Sequence, residues 1–138
     1  ATGAELALHP QELPLLQMRG GAQMFGVSGS ESPLPDTELS DGQVLTVGTL
    51  RFQVLYTPGH SPGGVTFYLA EEGAAFDGDV LFAGGVGRTD LPGGDWDTLM
   101  RSIHDVLFSL PDETILYSGH GAQTTVGREK RSNPWLQA

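Results

Sequence analysis

The sequence has 138 residues, a net charge of -10 with Lys130 as its single lysine, and no cysteine. The length fits one domain with a buried core, and the charge repels nucleic acid and anionic membrane surfaces. The lack of thiols excludes disulfides, thiolate metal sites and cysteine nucleophiles, so any metal must be held by His, Asp or Glu.

In chain order, the residues from Ala1 to Leu6 begin inside an element and read as an internal cut, with removal of an initiator Met as the alternative. No signal peptide is visible, and no apolar run nears the ~18 residues that span a bilayer, so a cytoplasmic protein is expected. Glu5 to His9 predicts a short strand. Pro10 stops it and opens a helix over Gln11 to Met18, which Pro14 limits to a turn or two. Residues 19–43, rich in Gly, Ser, Pro and Asp, form a long loop. Val44–Val47 and Leu50–Thr57 flank Gly48-Thr49 as a hairpin. Val65–Ala70 and Ala74–Phe76 are the next strands, joined through Glu71-Glu72-Gly73. A glycine-rich loop follows Asp79 and ends near Gly94.

The strongest helix is predicted over Trp96–Leu110. Trp96, Leu99, Met100, Ile103, Val106, Leu107 and Leu110 recur at 3, 4 and 7 spacing, and Asp95 is a natural N-cap. That stripe reads as core. Pro111-Asp112 ends the helix, Thr114–Ser118 is a buried strand, and Thr124–Ser132 is a last short helix stopped by Asn133-Pro134.

Three segments share one design, an apolar strand followed by glycine and a potential ligand. They end in Gly59-His60, Gly78-Asp79 and Gly119-His120. Glycine before the ligand lets the backbone turn and approach an ion, and strand ends are rigid supports. Two imidazoles and a carboxylate suit zinc, manganese or iron. Taken singly, each Gly-His or Gly-Asp is an ordinary turn. Three in a cysteine-free chain with four histidines make a shared metal site the sharper reading. His104 sits on the polar side of the long helix, and His9 is structural or capping. Arg88 and Asp90 either orient substrate or support the site, or they pair to brace their loop; the pairing is favoured. Arg128, Lys130 and Arg131 read as a basic last helical turn.

Thr57-Pro58-Gly59-His60-Ser61-Pro62-Gly63-Gly64, Gly78-Asp79-Val80-Leu81-Phe82, Gly87-Arg88-Thr89-Asp90, Gly119-His120-Gly121 and the ending Thr124 to Leu136 together resemble the metallo-β-lactamase superfamily. The likeness is to the short bacterial form of its glyoxalase II, or hydroxyacylglutathione hydrolase, branch. It implies an α/β fold, the αββα sandwich, of which residues 1–138 would be the end of the first half and the whole second half. It implies that His60 binds a first metal, His120 a second, and that Asp79, the catalytic carboxylate, bridges them. It also implies further ligands in an upstream His-x-His-x-Asp-His motif, which this sequence does not contain. Asp77 stands where the family often has Ser or Thr, and Ser118 where it often has Pro. The added carboxylate at Asp77 reads either as an Asp-Gly turn or as a group that raises cation affinity.

The activity implied for the intact parent is hydrolysis of a thioester such as an acylglutathione, by hydroxide on two zinc ions, with iron or manganese as other metals and Arg88 toward the substrate. The chain alone is expected to be inactive or impaired, and to need the missing N-terminal half or to self-associate. The Gly87–Asp90 segment also resembles persulfide dioxygenases, which use one iron. A third reading is a non-catalytic fragment with an incomplete metal site.

Overall fold

The computed structural model describes residues 3–17 and 34–137. The predicted first strand is shorter than expected. β1 (Ala7–Leu8) leads into a 3-10 turn, Pro10–Glu12, and then α1 (Leu13–Gln17). His9 caps this turn, its Nδ1 accepting from the Gln11 N–H at 3.1 Å, and its ring stacks on Tyr56. Met18 and residues 19–33 of the predicted loop lie outside the described residues. The rest of that loop holds a strand not foreseen, β2 (Thr37–Glu38), parallel to β1.

The main sheet holds β3 (Val44–Val47), β4 (Leu50–Tyr56), β5 (Val65–Leu69), β6 (Ala74–Gly78), β9 (Ile115–Ser118) and β10 (Thr124–Thr125). Its order is β10-β9-β6-β5-β4-β3. The β3–β4 hairpin turns at Gly48-Thr49 as predicted, with Val47 opposite Leu50. Within this sheet only β6 and β9 pair in parallel, and a parallel pair needs a crossover. That crossover contains a small hairpin, β7 (Leu81–Phe82) with β8 (Gly85–Val86), inside what reads in sequence as a glycine-rich loop.

It also contains the predicted long helix, which changes pitch along its length. α2 (Trp96–Arg101) passes into a π turn over Ser102–Val106 and a 3-10 turn over Leu107–Ser109. Asp95 caps it, its carboxylate accepting from the Thr98 N–H at 2.8 Å. Leu99, Ile103 and Leu107 are fully buried against Ala75 and Leu116 of the sheet, with Leu55 and Tyr68 packed alongside. Each such buried side chain contributes about 1.5–3 kcal/mol. Trp96 departs from the predicted stripe: it is exposed and meets Trp135 edge-on. The last helix, α3 (Val126–Ser132), starts later than predicted because Thr124 and Thr125 pair with β9, and the Thr125 hydroxyl then caps the helix.

The opposite face of the sheet is apolar too. Val47 sits across from Leu50, and Phe76 across from both Phe67 and Tyr117, so these partners share a face. Phe76 alternates with Ala75 along β6 and so points away from the helix-covered core. Val47, Leu50, Phe76 and Tyr117 are all exposed, and the Phe76 and Tyr117 rings stack at 5.3 Å.

Candidate metal centre

The sheet order explains why three distant loops meet. β4 and β6 are each antiparallel to β5 and so run the same way, and β9 is parallel to β6. The chain therefore leaves all three strands at one edge of the sheet, where His60, Asp79 and His120 follow within a few residues. Gly59 carries the first turn. Its φ of 134° is closed to ordinary side chains, and a Cβ there would stand 2.3 Å from the Leu99 backbone. The turn is held to α2 by the Asp95 N–H donating to the Gly59 carbonyl at 2.8 Å and the Ser102 hydroxyl to the Pro58 carbonyl at 2.6 Å. Gly119 serves through closeness, since a Cβ would lie 2.6 Å from Asp79 Oδ1.

Asp79 touches both imidazoles, one with each oxygen. Its Oδ2 is 3.5 Å from His60 Nε2, and its Oδ1 accepts from His120 Nδ1 at 2.8 Å. These distances mean different things. Two ligand atoms each about 2.0–2.1 Å from a tetrahedral ion stand roughly 3.4 Å apart, so the His60–Asp79 pair has the spacing of two donors to one cation. At 2.8 Å His120 and Asp79 instead hydrogen-bond each other. Accordingly, among the described residues no three His, Asp or Glu side chains form a ready cage for an ion. His120 is largely exposed (77%), against 29% for His60 and 32% for Asp79, and its ring meets the Phe82 edge at 5.9 Å.

His60 is oriented by a main-chain group that side-chain motifs do not reveal. Its Nδ1–H donates to the Arg88 carbonyl at 2.8 Å, which leaves the Nε2 lone pair directed toward Asp79. The donor set, two imidazoles and one carboxylate with one tautomer already fixed, fits a divalent transition-metal cation. The Arg88 side chain pairs with Asp90 through two bonds, 2.7 and 2.8 Å long. That guanidinium pulls the Asp90 carboxyl down to about 2. Both side chains are exposed, so the pair braces the loop that carries the Arg88 carbonyl. His104 is exposed and edges Phe108, as expected of a surface residue. A cavity of about 500 Å³ adjoins the centre, lined by Leu15, Leu16, His60, Asp79, Leu91 and Pro92 among others.

The Asp77-Gly78 pair does open a turn as its sequence suggests, with Gly78 at φ 59° and the Val80 N–H donating to the Asp77 carbonyl at 3.3 Å, but the Asp77 side chain points inward. Asp77 lies within β6, 1% exposed, with Oδ2 accepting from the Leu81 N–H at 2.9 Å. Its Oδ1 is buried without a hydrogen-bond partner among the described residues. Burial pushes its carboxyl up to about 7; the Leu81 N–H and the nearby Ser118 hydroxyl pull it back, and the charge of Asp79 adds to the rise. In the metal-free protein the folded state thus keeps a proton that the unfolded chain releases near its ordinary value. The contribution of Asp77 to stability is most favourable below about pH 4, falls as pH rises toward 7, and levels off above. Asp77→Asn should match the parent's stability at pH 4 and exceed it at pH 8, by an amount on the order of 4 kcal/mol. Equal pH dependence of parent and variant, followed by thermal melts in chelator, would count against this assignment.

Comparisons with known proteins place the chain in a family. The family model described as the metallo-beta-lactamase superfamily matches residues 1–120, and the chain belongs to that superfamily. It is 47% identical over 118 residues to hydroxyacylglutathione hydrolase GloC of Haemophilus influenzae, a match covering 85% of this chain and 56% of that protein. It superposes on the crystal structure of BLEG-1 B3 metallo-beta-lactamase with a TM-score of 0.89 and 42% identity, covering 97% of this chain and 66% of the other. For the di-iron-bound form of TTHA1623 the TM-score is 0.87 and the identity 45%, covering 98% and 66%. The α/β fold is thus that of metallo-β-lactamases, and the chain spans little more than half the length of the Haemophilus protein.

Proposed function

We propose that this chain belongs to a metal-dependent hydrolase that cleaves thioesters of the acylglutathione type. The observation that carries the reading is Asp79 facing both imidazoles at one edge of the sheet, with the free nitrogen of His60 turned toward it. The likeness to GloC supports the substrate class. In this reading His60, Asp79 and His120 hold the cation, with zinc as the first expectation. A bound cation supplies Lewis acidity toward a carbonyl oxygen and lowers the pKa of water. The protein's own part is to keep His60 in one tautomer, to hold the Asp79 carboxylate between the two histidines, and to offer the apolar wall of Leu15, Leu16, Leu91 and Pro92 to an acyl group. Arg88, whose guanidinium Asp90 holds through two bonds at the protein surface, is the side chain we assign to an anionic part of the substrate, reached by exchange with or beside that carboxylate.

The test uses the full-length protein as its gene encodes it. Metal content is measured beside two assays, thiol release from an acylglutathione and sulfite production from a persulfide. Zinc with thiol release supports the hydrolase. Iron with sulfite production moves the protein to the dioxygenase reading, and neither metal nor turnover leaves the non-catalytic one.

Two exposed apolar pairs on one face of the sheet, Val47 with Leu50 and Phe76 with Tyr117, support a proposed partner. We assign this face to contact with a further part of the same fold, since the relatives are longer than this chain. An uncovered apolar face of this kind favours association. The 138 residues alone are therefore expected to sediment as oligomers and to bind a hydrophobic dye. A stable, dye-silent monomer would remove this proposal.

A further inference from the structure

Glu129 is buried on α3 and touches none of the three ligand side chains in the interactions above, yet its carboxylate is fully engaged. Oε1 accepts from the Gly84 N–H at 2.8 Å and from Asn133 Nδ2 at 3.1 Å, and Oε2 accepts from the Thr124 hydroxyl. Asn133, also fully buried, donates to the Gly85 carbonyl at 3.0 Å. Both residues thus grip one object, the Gly84-Gly85 end of the β7–β8 hairpin.

That hairpin reaches all three residues of the centre. Asp79 lies two residues before it. The Leu81 carbonyl accepts from the Ser118 hydroxyl at 2.6 Å, two residues before His120, and the Phe82 ring meets the His120 ring edge-on. At its far end the Gly87 N–H donates to the Val80 carbonyl at 2.9 Å, and the next residue, Arg88, gives its carbonyl to His60. Two strands of two residues each have little hold of their own. A buried carboxylate with three donors is a firm anchor, because freeing any of those groups inside the protein is costly.

We infer that Glu129 and Asn133 are positioning residues of the centre. They act through the 81–86 hairpin, set the pose of His120 and the placing of the Arg88 carbonyl, and touch neither cation nor substrate. The affinity part of this inference rests on the metal-site reading above. The pose of His120 does not.

The experiment compares the full chain with Glu129→Gln, Asn133→Ala and Phe82→Leu. Leu69→Ala, in the buried part of the sheet away from the ligand edge, is the control for simple loss of stability. Glu129→Gln keeps the size but places an amide donor among donors, and Phe82→Leu leaves the buried network whole if the first two variants fold poorly. Two quantities are read: zinc affinity by chelator competition, and the His120 ring nitrogen signals by NMR in the metal-free protein. The three variants are expected to shift the His120 signals and to weaken zinc binding about tenfold or more, while Leu69→Ala lowers the melting temperature and moves neither. Unchanged His120 signals in folded variants, or equal changes in Leu69→Ala, would overturn the inference. A parent that binds no zinc would remove the metal reading, and the His120 signals would still decide the anchor's role.

Discussion

Asp79→Ala should lower metal affinity at least about a thousandfold while leaving the fold in place. The reason is that Asp79 meets both histidines, one with each oxygen, so its loss removes the carboxylate that lies between the two imidazoles. The side chain is partly exposed at the end of β6 and packs no core, so little stability should go with it. Its removal also takes a like charge away from Asp77. The metal-free variant should therefore melt no lower than the metal-free parent. The difference appears when zinc is added. The parent gains stability in proportion to RT ln(1 + [L]/Kd), and the variant gains almost none. Thermal melts across a zinc series, with metal analysis after gel filtration, measure both. An Asp79→Ala protein that retains stoichiometric metal would remove Asp79 from the centre.

The other large effect is one of fold. Gly59→Ala should destabilise the chain by more than about 4 kcal/mol, the range reserved for strain or severe overpacking. Two independent costs meet at this position. The backbone has a φ of 134°, and the added carbon would stand within 2.5 Å of three Leu99 atoms, two of them backbone. Relief would require α2 to lift from the 57–60 turn. That would break the bonds from Asp95 and Ser102 and loosen Leu99 from the core. His60 would lose its place with them, so metal binding should weaken together with the denaturation midpoint. A Gly59→Ala chain with a native midpoint would mean that the turn is not built as described.

The meeting of His60, Asp79 and His120 was legible as sequence because each follows a glycine near a strand end, a local pattern with a local cause. The β3–β4 hairpin and the Asp95-capped helix were legible on the same terms. The β7–β8 hairpin was not, since Leu81-Phe82 and Gly85-Val86 are too short to show alternation amid glycines. The pairing of β1 with β2 was hidden because its partners are 30 residues apart. The Arg88 carbonyl gives no side-chain signal. Glu129 sits among Arg128, Lys130 and Arg131, where the surrounding charges suggest a solvated turn, and only packing reveals that it points inward. The turn at Asp77-Gly78 was legible, but the burial of the Asp77 side chain was not, for a related reason: an Asp-Gly pair gives no sign of which way its carboxylate points.

His120 and Asp79 are 41 residues apart in the chain and 2.8 Å apart in space. A cation shared by the two would close that span as a cross-link, and closing a long loop restricts the denatured chain more than closing a short one. Proteins with cysteines obtain this kind of staple from an S–S bridge. This chain has none, so the ion would take over that duty, with pH and chelators, rather than reductants, governing its release.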